Sequence, residues 1–318
     1  MNAAAGSGST IAQTLNNGTN ASVNVTYTVT PSLAGCTGTP FQVVVVVNPT
    51  PQLTVTNNAP TICTPASTNI ALSSTTSGAV ISWTSAAVAG VTGNADGTGT
   101  SIAQTLTSSN TTPTTVTYYV NITANGCPYP TDSVKVVVNP TPSVSITNND
   151  DSLCSGETTN IALSSTVAGT VFNWTVVTGG STGATSGTGA SIAQQLTNTT
   201  NSPITVTYAV TPTFTNGGVT CTGATQNVSV VVSPGSQMTI TNNAATICTG
   251  SNTNIGITST TVGSVISWTS PAVSGITGNA GGSGSSPISI AQTLTSTNTT
   301  PTTVTYYVNI TANGCPYP

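Results

Sequence analysis

The sequence predicts an all-β chain: tandem immunoglobulin-like β-sandwich modules of about 92 residues in an elongated array. Three observations carry this. Trp83, Trp174 and Trp268 each follow a Cys by 20 residues: Cys63, Cys154 and Cys248. A second series, Cys36, Cys127, Cys221 and Cys315, runs at the same period, as does Ile-Ala-Gln at Ile11, Ile102, Ile192 and Ile290. Between these marks lie short β-branched segments with no helical period; Thr alone numbers 70, with 31 Gly and 19 Pro as turn formers.

Within one repeat the strand signals follow in order. Gln52–Thr56 alternates, then come Thr68–Ser73 and Val80–Thr84, the latter carrying Trp83. Ser101–Thr107, Thr115–Thr123 and Asp132–Val138 complete the set. Trp83, Trp174 and Trp268 are expected as core anchors between the sheets. Val43–Val47, the longest apolar run, reads as a buried strand. The module limits read as 1–51 (the C-terminal half of a module), 52–141, 142–234, and 235–318 (a module lacking its last strand). Met1 aligns with Thr92 and Pro318 with Pro130, and 295–318 repeats 107–130 with Thr297 for Ser109 as the one change. The chain therefore reads as a window on a longer array. A second reading is a subunit that polymerises by donor-strand exchange.

Composition narrows the function. Five acidic residues, one Lys (Lys135) and no Arg or His make 2% charged residues, against about 25% in ordinary domains. One cation cannot displace phosphate counterions, so no nucleic-acid binding is expected. Acid–base residues are nearly absent, so no enzyme and no cofactor are expected. No apolar run reaches 18 residues, so no membrane span is expected. Met1 opens on Asn2-Ala3-Ala4 without the basic and apolar stretches of a signal peptide.

Thr61-Ile-Cys-Thr64, Thr68–Ser74, Ile81-Ser-Trp83, Ser101–Leu106, Asn125-Gly-Cys127 and Val136–Pro142 form an ordered set. Together they resemble the PKD-like, immunoglobulin-like tandem repeats of giant Bacteroidetes cell-surface adhesin proteins. The resemblance implies type IX secretion, a link to gliding motility or adhesion, and an extracellular, bacterial-surface location. The Trp-x-Phe-Gly-Asp-Gly signature of ordinary PKD domains and a C-terminal sorting domain are absent from the sequence.

Seven regularly spaced Cys, with no His and no close pair, point to disulfides rather than zinc; no metal site is expected. Pairing within modules gives Cys63–Cys127, Cys154–Cys221 and Cys248–Cys315, leaving Cys36 alone. Strand direction favours pairing between modules, Cys63–Cys221 and Cys154–Cys315. Cys63 precedes the second strand and Cys127 follows the sixth, so more than ~20 Å separates them, whereas a disulfide needs Cα atoms within ~7 Å. Cys36, Cys127 and Cys248 then reach modules outside the chain, and the array becomes a stiff rod.

Asn-x-Ser/Thr occurs at Asn17, Asn110, Asn121 and Asn298, matches that an Asn- and Thr-rich chain produces by chance. The resemblance implies O-glycosylation at Asp-Ser/Thr before an apolar residue, which makes Ser133 and Ser152 candidates. Asp150-Asp151 and the 93–99 loop, a flexible loop by its Gly content, lack counterparts in the other modules and so carry no general calcium mechanism. Lys135 has no counterpart either, which argues against a repeated isopeptide crosslink.

The leading functional reading is a structural repeat region of a long extracellular filament or adhesin stalk. It transmits force and projects a distal binding region, with neighbouring modules of the same or identical chains as partners. The alternatives are strand-exchange assembly and a glycan- or surface-binding module; with 4% aromatic residues the last has little to work with.

Overall fold

The computed structural model describes residues 2–178, 180 and 182–316, which leaves Met1 and Pro318 outside it. The described residues form strands, turns and loops with no helix. Accordingly, no helix is long and apolar enough to cross a membrane. The chain divides into two compact units. One comprises 1–142 with 166–169 and 214–222; the other comprises 143–165, 170–213 and 223–318.

In the first unit, one layer of a sandwich is a sheet ordered Gly97–Thr98, Ala79–Thr84, Thr114–Ala124, Asp132–Asn139, Thr61–Cys63. Its centre is the antiparallel register Val116↔Val136 and Tyr118↔Val134, and its outer strand runs parallel, with Cys63 opposite Asn139. The facing layer holds Thr54–Asn57, Ile70–Ser73 and Ser101–Ile102, with Ala66–Ser67, Thr105–Ser108 and Val91–Thr92 beside them. Alternation along Thr114–Ala124 places Val116, Tyr118, Val120 and Ile122 in the core, where Trp83, Ile102 and Leu106 meet them.

Two expectations are corrected here. Ser101–Thr107 is not one strand: Ser101–Ile102 pairs with Ile70–Ser73, whereas Thr105–Ser108 pairs with Ala66–Ser67 and Val91–Thr92. The break falls at Ala103-Gln104, where the chain passes from one sheet to the next. Val43–Val47 is not buried: among the described residues Phe41–Val47 pairs with Val23–Val29 alone, and Val44 is 53% exposed. An apolar run is buried only where a facing layer exists to bury it.

In the second unit, Ser152–Cys154, Gln226–Ser233, Ile204–Asn216, Val171–Thr178 and Gly187–Thr188 repeat the first sheet order, and Ser145–Asn148, Ile161–Ser164 and Ser191–Ile192 face them. The 235–316 region repeats the facing layer but has only Gly282–Ser285, Ser264–Thr269, Tyr307–Ala312 and Cys315–Pro316 in the other sheet. Its core is correspondingly small: Ile257, Ile266, Ile290 and Ile310 are its buried members.

Candidate functional site at the module junctions

The recurring side chains gather in two places, a clamp around each Trp and a bracket at each junction. In the clamp, the Trp83 indole N–H donates to the Ala95 carbonyl at 3.1 Å, and Gln104 holds the same residue from both sides. Gln104 Oε1 accepts from the Ala95 N–H (2.9 Å) and the Tyr118 hydroxyl (2.9 Å), while its Nε2 donates to Ala95 O (2.8 Å). Gln194 with Trp174, Thr185 and Tyr208, and Gln292 with Trp268, Ala280 and Tyr306, make the same set. Gln13 likewise bonds Ala4 and Tyr27.

This accounts for the repeated Ile-Ala-Gln: Ile102 is buried, and two residues on, Gln104 pins the loop that covers the Trp. The 93–99 segment is thus a hydrogen-bonded cover, not the flexible loop expected from its glycines. Asn94 also donates to Ser85 Oγ and Ala86 O, and Asp96 Oδ1 accepts from the Ser85 N–H. Gly97, Gly187 and Gly282 lie against the rings; a Cβ at Gly97 would sit 2.5 Å from Trp83 Cζ2. Burial removes water from the Tyr118 hydroxyl and pushes its pKa up to about 12, against a smaller lowering by its hydrogen bond to Thr68; burial also raises Tyr208 and Tyr306. Trp83 and Trp174 are core residues, and Trp268 is partly buried against its cluster.

The junction bracket is built on two neighbouring parallel strands. Cys63 and Asn139 stand opposite each other at their ends and both reach the hairpin around Gly217-Gly218, whose positive φ values form the tight turn. Cys63 is bonded to Cys221 with Cα atoms 5.5 Å apart. Asn139 Nδ2 donates to Asn216 O (3.0 Å), and Asn216 Nδ2 donates back to Asn139 Oδ1 (2.9 Å). Asn139 is wholly buried, so an unpaired amide there would be costly. Thr141 Oγ1 donates to Thr64 O, and a Cβ at Gly217 would collide with Thr61 Oγ1 at 2.6 Å.

In the second unit Cys154, opposite Ser233, is bonded to Cys315, again with Cα atoms 5.5 Å apart. Here Ser236 Oγ donates to Cys315 O at 3.1 Å in place of the paired amides. A third bracket, without a disulfide, ties Asn48 Nδ2 to Asn125 O (2.8 Å) and Ser22 Oγ to Asn48 Oδ1 (2.8 Å).

The within-module alternatives Cys63–Cys127, Cys154–Cys221 and Cys248–Cys315 are not formed. Cys63 lies by Asn139 at one end of the sheet, and Cys127 pairs with Ala124 at the other. The strand Thr114–Ala124 between them has 11 residues, about 35 Å of extended chain. Cys36, Cys127 and Cys248 are free.

Ser133 and Ser152 are exposed strand residues, and Asp132 Oδ1 accepts from the Ser133 N–H. Of the Asn-x-Thr motifs, Asn17 holds a turn: its Oδ1 accepts from both the Thr19 N–H and hydroxyl, and its Nδ2 donates to Ala21 O and Val47 O, whereas Asn121 lies within the strand Thr114–Ala124. Among the described residues no three His, Cys, Asp or Glu gather as a metal site, and Asp151 instead accepts from Asn148 Nδ2.

The PKD-like domain family matches residues 2–51, 60–142 and 151–236. The chain belongs to the PKD-like domain family. Its repeats are thus PKD-like, with immunoglobulin-like structural neighbours. Mouse cadherin-23 EC22-24 is similar at 13% identity over 84% of this chain and 95% of that one, with a TM-score of 0.37. An E-to-A variant of titin domains I67-I69 is similar at 9% identity over 84% and 95%, with a TM-score of 0.43. No curated protein matches. PKD-like repeats of this kind are typically non-catalytic, and with the disulfides they are domains of an extracellular type.

Proposed function

We propose that the chain is a load-bearing repeat region of a long extracellular filament or adhesin stalk on a bacterial surface. Its modules, with limits at 1–51, 52–141, 142–234 and 235–318, transmit tension and carry a distal binding region. The observation that carries this reading is the pair of disulfides. Each ties the edge strand of one repeat to the hairpin of the next, closing separations of 158 and 161 residues. The resemblance to Bacteroidetes surface repeats supports export by the type IX system and a place in gliding or adhesion, with Ser133 and Ser152 as sugar attachment sites.

The two disulfide loops overlap in sequence, so load entering at Cys63 has a covalent short cut through Cys221, back to Cys154 and across to Cys315. That path holds roughly 70 residues, or ~240 Å extended, against ~850 Å for the whole chain between Cys63 and Cys315. Single-molecule pulling tests this. Oxidised protein should stop extending between those points at the shorter length, and reduced protein should reach the longer one. Equal lengths in both states, or a Cys63–Cys127 peptide in a non-reducing digest, overturn the load-bearing role.

A further inference from the structure

The sandwiches built on Ala79–Thr84 and Ser264–Thr269 share one frame where these strands begin. Gly78 (φ 75°) lies under Asn125 and Gly263 (φ 77°) under Asn313; a Cβ at either would come within 2.9 Å of the Asn Oδ1. Thr76 Oγ1 accepts from the Gln52 N–H at 3.0 Å, and Thr261 Oγ1 from the Gln237 N–H at 3.1 Å. Ser74 Oγ accepts from the Thr76 N–H, as Ser259 Oγ does from the Thr261 N–H. The difference lies in one connection. Gly99-Thr100-Ser101 in the first sandwich is Gly284-Ser285-Ser286-Pro287-Ile288-Ser289 in the second.

The longer connection fills a place that the shorter one leaves open. Ser285 pairs with Val265, Ser286 Oγ accepts from the Ser259 N–H at 2.7 Å, and the Ser286 N–H donates to Ser264 O at 3.4 Å. In the first sandwich the edge strand ends at Thr98, opposite Ser82, and the Gly99 N–H donates to Ile81 O. Thr100 then turns to the facing layer, where its carbonyl accepts from the Leu72 N–H. By strand alternation the Ala79 carbonyl points to the same side as that of Ile81. Among the described residues no counterpart of Ser286 reaches it or the Ser74 N–H. A cavity of about 460 Å³ stands there, walled by Ser74, Thr76, Ala79, Val80 and Thr100 among others, with no acidic or basic side chain.

We infer that this cavity is a binding site for a neutral, serine-bearing segment of a separate polypeptide, which takes the place that Ser285-Ser286 holds in the sister sandwich. The ligand serine's hydroxyl accepts from the Ser74 N–H, its own N–H donates to Ala79 O, and the residue before it lies opposite Val80. The wall offers no charge to pair with an ionised side chain, which selects for a neutral segment. Every strand of the sheet from Gly97–Thr98 to Thr61–Cys63 is in place, so binding displaces and exchanges none of them. The site goes beyond the stalk reading.

The test uses the oxidised full chain and a capped synthetic peptide of residues 282–289. Hydrogen exchange at 74–81 should slow saturably as peptide is added. Peptides with Ser286→Ala, or methylated at the Ser286 nitrogen, should bind about fivefold more weakly, each having lost one hydrogen bond. A chain with Thr100→Ser-Ser-Pro-Ile builds the longer connection into the first sandwich, and its exchange at 74–81 should no longer respond to peptide. If that chain misfolds, the peptide variants decide. No saturable slowing at 74–81, equal binding of the altered peptides, or an undiminished response of the filled chain would each overturn the site.

Discussion

Residues 114–124 and 302–312 have the same sequence, yet the first is an 11-residue strand and the second is a strand only over Tyr307–Ala312. The shared part is what pairs with the Trp-bearing strand, Ala79–Thr84 in one case and Ser264–Thr269 in the other. The part that differs pairs with Asp132–Asn139 in the first copy, and no described strand pairs with it in the second. Strand conformation here is set by the partner and not by the residues' own preference. The two copies differ at the Trp as well: Trp83 is a core residue and Trp268 is partly buried, although each makes the same indole hydrogen bond.

The strongest way to break the contrast is to remove the partner's grip. Val136→Asp buries a carboxylate in the 52–141 core and should cost about 4 kcal/mol or more. Exchange at residues 114–118 should then accelerate toward that of 302–306; unchanged exchange at 114–118 would show that the strand stands without its neighbour. Trp83→Phe should cost about 2 kcal/mol, from the lost indole bond and the space left in the core, and Trp268→Phe about half of that. Urea unfolding of the two variants measures the difference, and equal losses would mean that the lower burial of Trp268 does not weaken its site. Asn139→Ala strands the amide and carbonyl of Asn216 and should cost about 1.5 kcal/mol, whereas Asn48→Ala, at an exposed bracket, should cost about 0.5 kcal/mol. The smallest effect is a pH dependence. The raised pKa of Tyr118 means that the folded state keeps its proton longer than the unfolded state does. Its contribution is complete below about pH 10 and declines as pH rises towards 12. Tyr118→Phe should reduce that decline, leaving the share of Tyr208 and Tyr306, as followed by denaturant midpoints across this range.

These comparisons also mark what the sequence makes readable. Alternation and the Trp period suffice for the layers, because strands at period 2 with turns between them have few ways to bury one face. The fate of Val43–Val47 is not readable, since burial depends on a facing layer and the run itself carries no record of one. The change of sheet at Ala103-Gln104 is equally hidden, because both halves of 101–107 alternate correctly and only the Gln clamp marks the break. That clamp did leave a signal, the tripeptide Ile102-Ala103-Gln104 repeated in each module, but its partners Ala95 and Tyr118 are distant in sequence. Gly97 under the Trp83 ring is one glycine among 31, and only the contact distinguishes it.

The overlap of the two disulfide loops bears on survival outside a cell, where proteases cut exposed loops. A cut between Cys63 and Cys154 leaves the Cys63–Cys221 bond joining the pieces. A cut between Cys221 and Cys315 leaves Cys154–Cys315, and one between Cys154 and Cys221 leaves both. Any single nick in that stretch therefore leaves one covalent molecule, and separating its two ends takes three cuts, one in each of the intervals 63–154, 154–221 and 221–315.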